Sequence, residues 1–203
     1  MEIITLPLGS LETNCYLLHN GSEALVIDPG GDIDPVLQIL NENDLTLTHI
    51  FNTHLHFDHT YGNADLSKST GVKIQAGEAE ELIAATPLSR GGVFELPEVT
   101  PYAWEVLQPG DCPLLGDICT VLHTPGHSPG SLSFYFKNAG AVFAGDVIFA
   151  GSVGRTDFPG SSSQQLVQSI KSRIFVLPEE TIIYPGHGPS TTVKREKKSN
   201  PYV

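Results

Sequence analysis

The chain has 203 residues, 40% of them hydrophobic, enough to bury a sizeable core, and a formal charge of −12 from 23 acidic against 11 basic side chains. That balance leaves no broad basic field to neutralise phosphates, so neither nucleic acid nor an anionic membrane is expected as a partner. Three cysteines, Cys15, Cys112 and Cys119, are odd in number and lack metal-knuckle spacing, which argues against a disulfide framework. With no leader-like N-terminus and no long apolar span, a cytoplasmic protein is expected.

The first residues read as strands over 2–6, 13–19 and 24–28, with Asn20 and Gly21 as a hairpin turn between the last two. Asp32 is placed to cap a helix whose apolar face is Ile33, Val36, Leu37 and Leu40. A strand over 48–52 follows, then a short helix over 61–69, a strand over 72–76 and a helix over 78–85. From 86 to 104 the pattern breaks into Pro87, Gly91, Gly92, Pro97 and Pro101 with Phe94, Tyr102 and Trp104 between them. Such a loop is either a surface connection or a lid over a substrate pocket.

The second half repeats this outline. Strand patterns cover 105–107, 118–123, 131–136 and 141–145, a helix covers 164–175 with Leu166, Val167, Ile170 and Ile174 on one face, and a last strand covers 181–184. The basic run from Lys194 to Lys198 reads as a solvated tail. Two mixed sheets packed face to face with helices outside would bury both apolar faces. The expected fold is therefore α/β (α+β), a four-layer αββα sandwich, as a single domain over 1–203.

The chemistry concentrates after the strand over 48–52. Within six residues the run Thr53-His54-Leu55-His56-Phe57-Asp58-His59 offers three imidazoles and a carboxylate. In an extended segment His54, His56 and Asp58 would face one side and His59 the other, and a turn at Asp58 would spread them around two neighbouring ions. Three further polar residues stand at strand ends beside glycine or proline: His127 in Thr124-Pro125-Gly126-His127, Asp146 in Ala144-Gly145-Asp146, and His187 in Tyr184-Pro185-Gly186-His187. The set is five histidines and two aspartates, enough for two ions with open positions for water. Imidazole nitrogen and carboxylate oxygen suit zinc first, with iron or manganese also compatible, and the lack of thiolate argues against a closed structural zinc knot. Asp28, in the Ile27-Asp28-Pro29-Gly30 turn, is a candidate support for a ligand histidine, whereas His123 reads as a core or turn residue.

This ordered combination resembles the metallo-β-lactamase fold superfamily, and the likeness spans the chain. The resemblance implies that His54, His56 and His127 hold a first metal, that Asp58, His59 and His187 hold a second, and that Asp146 bridges the two. Within the superfamily, the segment Gly151-Ser152-Val153-Gly154-Arg155-Thr156-Asp157-Phe158-Pro159 is most similar to glyoxalase II and its short bacterial relatives. Secreted zinc β-lactamases commonly differ in using a cysteine ligand and an export signal. The longer glyoxalase II has a C-terminal helical domain whose basic residues help hold glutathione, and this sequence is expected to lack it.

The resemblance implies a dinuclear hydrolase that uses a metal-bridging hydroxide on a small acyl substrate, a thioester such as S-lactoylglutathione. Asp58 would orient the nucleophile. Arg155, close to where that family places a lysine, would bind the substrate by paired hydrogen bonds to a carboxylate. Two alternatives belong to the same fold: an iron-dependent persulfide dioxygenase, similar in the segment from Gly154 to Phe158, and a lactonase. The oligomeric state is left open by the sequence.

Overall fold

The computed structural model describes residues 1–92 and 96–203. Val93, Phe94 and Glu95 lie outside the described residues, and with them the middle of the loop read as either a surface connection or a lid. The first sheet is built from β1 (Glu2–Leu8), β2 (Thr13–His19), β3 (Glu23–Ile27), β4 (Thr46–Phe51), β5 (Ile74–Ala76) and β6 (Trp104–Val106), hydrogen-bonded in that order. Its first three strands are antiparallel neighbours, and β3 to β6 run parallel.

The second sheet uses β7 (Gly110–Leu114), β8 (Asp117–His123), β9 (Leu132–Phe136) and β10 (Ala141–Gly145). A small ribbon, β11 (Ile148–Phe149) with β12 (Ser152–Val153), follows, and β13 (Ile182–Pro185) and β14 (Thr191–Thr192) complete the sheet in the order β14-β13-β10-β9-β8-β7. The pairing of β10 with β13 is parallel.

Layering follows from the alternation of side chains along each strand. Tyr16 and Leu18 of β2 join Phe51 of β4, and Val121, Phe134, Phe136 and Phe143 of the second sheet, in a core between the two sheets. Cys15 and Leu17 point the other way, into a second core with Val26, Ile50 and Ile74. There they meet Val36 and Leu40 of helix α1 (Asp34–Glu42), and Leu66 of the helix over Asn63–Thr70. Both faces of β2 are thus covered, and every residue of the strand is buried. On the far side, Val142, Ala144 and Ile183 pack under Leu166, Ile170 and Ile174 of the helical segment 163–174 and under Val193. Helix, sheet, sheet, helix is the expected αββα order.

Several local expectations change. Asp32 does not cap α1: Ile33 stands at the N-cap, while Asp32 Oδ1 accepts from the Asp34 N–H. The helix expected over 78–85 divides into a 3₁₀ turn (Glu78–Glu80) and a short α-helical turn (Glu81–Ala84). The strand β7 was not expected, because its sequence Gly110-Asp111-Cys112-Pro113-Leu114 carries a proline. An edge strand tolerates it, since only one side of the ladder needs donors. The basic C-terminal run is helical (Val193–Ser199) rather than a tail. The Thr192 side chain accepts from the Arg195 N–H, and buried Glu196 accepts from Thr191 Oγ1 (2.6 Å), Gly151 N–H (2.9 Å) and Asn200 Nδ2 (2.9 Å).

Candidate metal centre

The parallel strands β3 and β4 end side by side, and so do β10 and β13. The carboxyl ends of parallel strands are where an open sheet exposes loops for chemistry. Asp28 follows β3, the histidine run follows β4, Asp146 follows β10 and His187 comes two residues after β13. Two backbone hydrogen bonds register the loops, Gly186 N–H to Gly145 O (2.8 Å) and Leu132 N–H to Thr53 O (2.7 Å).

The chain bends at Thr53, is extended at His56 and then makes one helical turn (Phe57–Thr60). This turn replaces the strict alternation expected from an extended run. Asp58 and His59 therefore face the same space, with His59 Nε2 3.7 Å from Asp58 Oδ2. All seven candidate ligands gather at this end of the sandwich. His54, His56 and His127 form one trio, Asp58, His59 and His187 another, and His54, His59 and Asp146 a third, with donor atoms of each within 4.8 Å of one another. The Asp146 carboxylate divides between the first two: Oδ1 lies 3.4 Å from His59 Nε2 and 3.8 Å from His187 Nε2, and Oδ2 lies 3.6 Å from His127 Nε2.

Hydrogen bonds on the outer side of each ring decide which nitrogen faces inward. His59 Nδ1 donates to Asp28 Oδ2 at 2.9 Å, His127 Nδ1 to the Arg155 carbonyl at 2.8 Å, and His187 Nδ1 to the Leu11 carbonyl at 3.1 Å. His54 Nδ1 lies 3.0 Å from Thr53 Oγ1, whose own proton goes to Asp28 Oδ2 at 2.6 Å, so the hydroxyl accepts from the ring. Each of these four rings thus turns a lone pair on Nε2 into the centre. His56 presents Nδ1 instead, 2.9 Å from His127 Nε2.

This arrangement fits metal ions. His54 Nε2, His59 Nε2 and Asp146 Oδ1 are buried and have no hydrogen-bond partner among the described residues. Orphaned buried acceptors are costly, and three converging on one point are accounted for by a shared cation. Protonation states differ between the first two trios. Burial, then neighbouring imidazoles, pushes His54 well below the ordinary histidine value and His56 down to about 3, which keeps both neutral. Burial works against the charged form of Asp146, but His59, His127 and His187 outweigh it and hold that carboxyl low. Burial also lowers His59, yet Asp58, Asp146 and Asp28 raise it well above the usual range.

Arg155 lies on the rim, exposed. Its guanidinium makes two 2.7 Å bonds to Asp157 and sits 4.1 Å from the centre of the Phe158 ring. Its backbone carbonyl, holding His127, is a second role that sequence reasoning missed. The rim opens into a cavity of about 740 Å³ lined by Leu11, Phe57, Leu88, Leu96 and Phe158 above the candidate ligands.

Glu80 also escaped the sequence reading, which left it unremarked inside the helix expected over 78–85. It is fully buried, and its carboxylate accepts from the Leu55 N–H (2.7 Å), the Gly130 N–H (2.9 Å) and the Ser128 hydroxyl. Leu55 lies between His54 and His56, and Ser128 follows His127. One carboxylate therefore ties together the two loops that form the first trio. The absence of any positive partner in sequence gives no signal for it. Among the described residues the His123 ring bonds to the Pro129 carbonyl, at 3.1 Å, and not to a candidate ligand.

The model of the metallo-beta-lactamase superfamily matches residues 8–187. A probable metallo-hydrolase, YqgX of Bacillus subtilis, is 36% identical over 201 residues, covering 98% of this chain and 95% of that one. The hydroxyacylglutathione hydrolase GloC of Haemophilus influenzae is 34% identical over 208 residues, covering 100% and 98%. Among solved structures, the BLEG-1 B3 metallo-beta-lactamase superposes with a TM-score of 0.92 at 34% identity, covering 99% of each chain. TTHA1623 in a di-iron-bound form superposes with a TM-score of 0.88 at 35% identity, covering 98% of this chain and 100% of that one. ETHE1 from Myxococcus xanthus gives 0.81 at 31% identity, with 99% and 84% covered. No helix among the described residues is long and apolar enough to cross a membrane. With a family model over most of its length and full-length relatives above 30% identity, the chain belongs to the metallo-beta-lactamase superfamily.

Proposed function

We propose that this protein is a metal-dependent thioester hydrolase holding two divalent ions, zinc foremost, with S-lactoylglutathione as the representative substrate. The observation that carries the reading is the division of the Asp146 carboxylate between two complete trios of donors, beneath an apolar cavity. His54, His56 and His127 would hold one ion and Asp58, His59 and His187 the other, with Asp146 shared. When bound, such ions acidify a water so that a nucleophile exists near neutral pH, and polarise the acyl carbonyl.

The chain's own groups do the rest. Asp58 Oδ2 lies 3.2 Å from His187 Nε2 and accepts from Thr13 Oγ1 at 3.3 Å, which fixes the carboxylate where it can orient the attacking water. The walls formed by Leu11, Phe57, Leu88 and Phe158 exclude bulk water from the acyl group. Arg155, exposed on the rim, would exchange its Asp157 partner for a substrate carboxylate. A departing thiolate needs no strong general acid. The full-length relationship to a hydroxyacylglutathione hydrolase supports this substrate class.

A second reading, the iron-dependent persulfide dioxygenase, draws on the way the segment 154–158 packs against His56 and His127 of the first trio. The Phe158 ring lies 5.3 Å from that of His56, and Arg155 holds His127. Loss of S-D-lactoylglutathione by protein of known metal content, compared with Asp146→Ala, tests the proposal. Turnover with two ions per chain, abolished in the variant, supports it. No turnover with two ions bound removes this substrate and turns the question to other thioesters and lactones. A single iron with thiol-dependent oxygen uptake establishes the dioxygenase.

A further inference from the structure

The β7–β8 hairpin sets Cys112 directly opposite Cys119. Leu115 and Gly116, both at positive φ (53° and 78°), make the two-residue turn that fixes this register. Residues facing each other across an antiparallel ladder have Cα atoms about 4.5 or about 5.5 Å apart, and a disulfide spans roughly 4.4–6.8 Å. Opposed side chains leave the sheet on the same face. Here that face is the core between the sheets, where Cys119 is fully buried and Cys112 packs half-buried against the same cluster.

The Cys119 side chain across the ladder brings the Cys112 thiol down to about 7, against the effect of burial. Burial and the same partner push Cys119 up. One sulfur is therefore partly exposed, and the other lies buried opposite it. Cys15 differs: it lies fully buried on the opposite face of its sheet, and burial pushes its thiol up.

We propose that Cys112 and Cys119 are a reversible redox pair, converted by a small-molecule disulfide such as oxidised glutathione into a cross-strand disulfide. The Cys112 thiolate attacks one sulfur of the reagent and expels a glutathione thiolate, leaving a mixed disulfide. The Cys119 sulfur then attacks the Cys112 sulfur and expels the second glutathione, which takes up the Cys119 proton. The protein loses two electrons and two protons, and one glutathione disulfide becomes two thiols. The pair lies toward the start of β8, whereas His127 follows its end, so the metal ligands take no part.

The test uses full-length, metal-loaded protein, reduced, desalted and incubated anaerobically with oxidised glutathione. Aliquots are denatured, alkylated and measured by intact mass and peptide mapping. The expected product carries one alkylated cysteine, Cys15, and a peptide linked through Cys112 and Cys119, with unchanged metal content. Excess reduced glutathione should restore three alkylated cysteines. Cys119→Ser should trap one glutathione on Cys112, and Cys112→Ser should remain unmodified. Three free thiols after exposure, a stable adduct without cross-link in the parent, or modification of Cys119 in Cys112→Ser would overturn the proposal.

Discussion

Asp28 and His59, 31 residues apart, are joined by a 2.9 Å hydrogen bond from His59 Nδ1 to Asp28 Oδ2, and the same oxygen accepts from Thr53 Oγ1, which holds His54. One carboxylate thus sets the inward-facing nitrogen of a ring in each of the two proposed sites. The backbone of Asp28 reaches this position at φ 52°, a left-handed conformation that aspartate tolerates better than most residues.

Replacing Asp28 with Asn keeps the shape but puts an amide where four donors converge. Metal affinity should fall by roughly 10–100-fold, the usual cost of removing a hydrogen bond behind a ligand histidine. Competition with a chromogenic chelator measures it. An unchanged affinity for both ions would show that the rings hold their orientation without Asp28.

Glu80→Gln should loosen the first trio specifically. The amide can satisfy two of the three donors at most, so one buried N–H or O–H loses its acceptor, at a cost of about 1–3 kcal/mol. Denaturant unfolding should show that loss, and the ion held by His54, His56 and His127 should exchange faster with chelator than in the parent. Equal loosening of both ions would mean that Glu80 serves general stability alone.

Gly186→Ala should empty the centre while the fold persists. A Cβ at this position would stand 2.2 Å from Asp146 Oδ1 and 2.7 Å from His59 Cε1, too close for either to remain in place. The expected outcome is metal content well below that of the parent, with an unaltered far-ultraviolet circular dichroism spectrum. Full metal content would show that the loop can shift to accommodate a methyl group.

The two proposed sites should respond differently to acid. Protons compete with metal for imidazole nitrogen. His187 resembles His59: burial lowers it, but Asp58 and Asp146 raise it above the ordinary value. A raised group holds its proton to higher pH, so acidification weakens binding there first. Burial and neighbouring imidazoles lower His54 and His56, and burial lowers His127 despite Asp146, so those lone pairs stay free to lower pH. Dialysis from about pH 8 to about pH 5, across the imidazole range, should remove the ion of Asp58, His59 and His187 before its neighbour. Titration with metal at neutral pH should release protons from that site. Simultaneous loss of both ions, or loss from the first trio first, would contradict this order.

The sequence by itself determined the parts whose cause is local. Period-two runs mark the core strands, the 164–175 periodicity marks the helical segment whose last turn widens into a π-helix, and a dense His/Asp cluster followed by three isolated strand-end candidate ligands marks a candidate metal centre. These signals survive without tertiary context because burial repeats with the geometry of each element. The proline-bearing edge strand β7 and the helical C-terminal run were hidden because each depends on a neighbour, β8 for the one and the partners of Glu196 for the other.

Only the tertiary structure decided how the candidate ligands divide and what orients them. Asp146 is shared between trios because β10 and β13 run parallel and end together. Glu80 serves His-bearing loops 25 and 48 residues away, and the Cys112 and Cys119 thiols meet because a two-residue turn sets their register. The physical reason is the same in each case: a hydrogen bond or a shared carboxylate is made by atoms within about 3 Å in space, and separation along the chain carries no record of it.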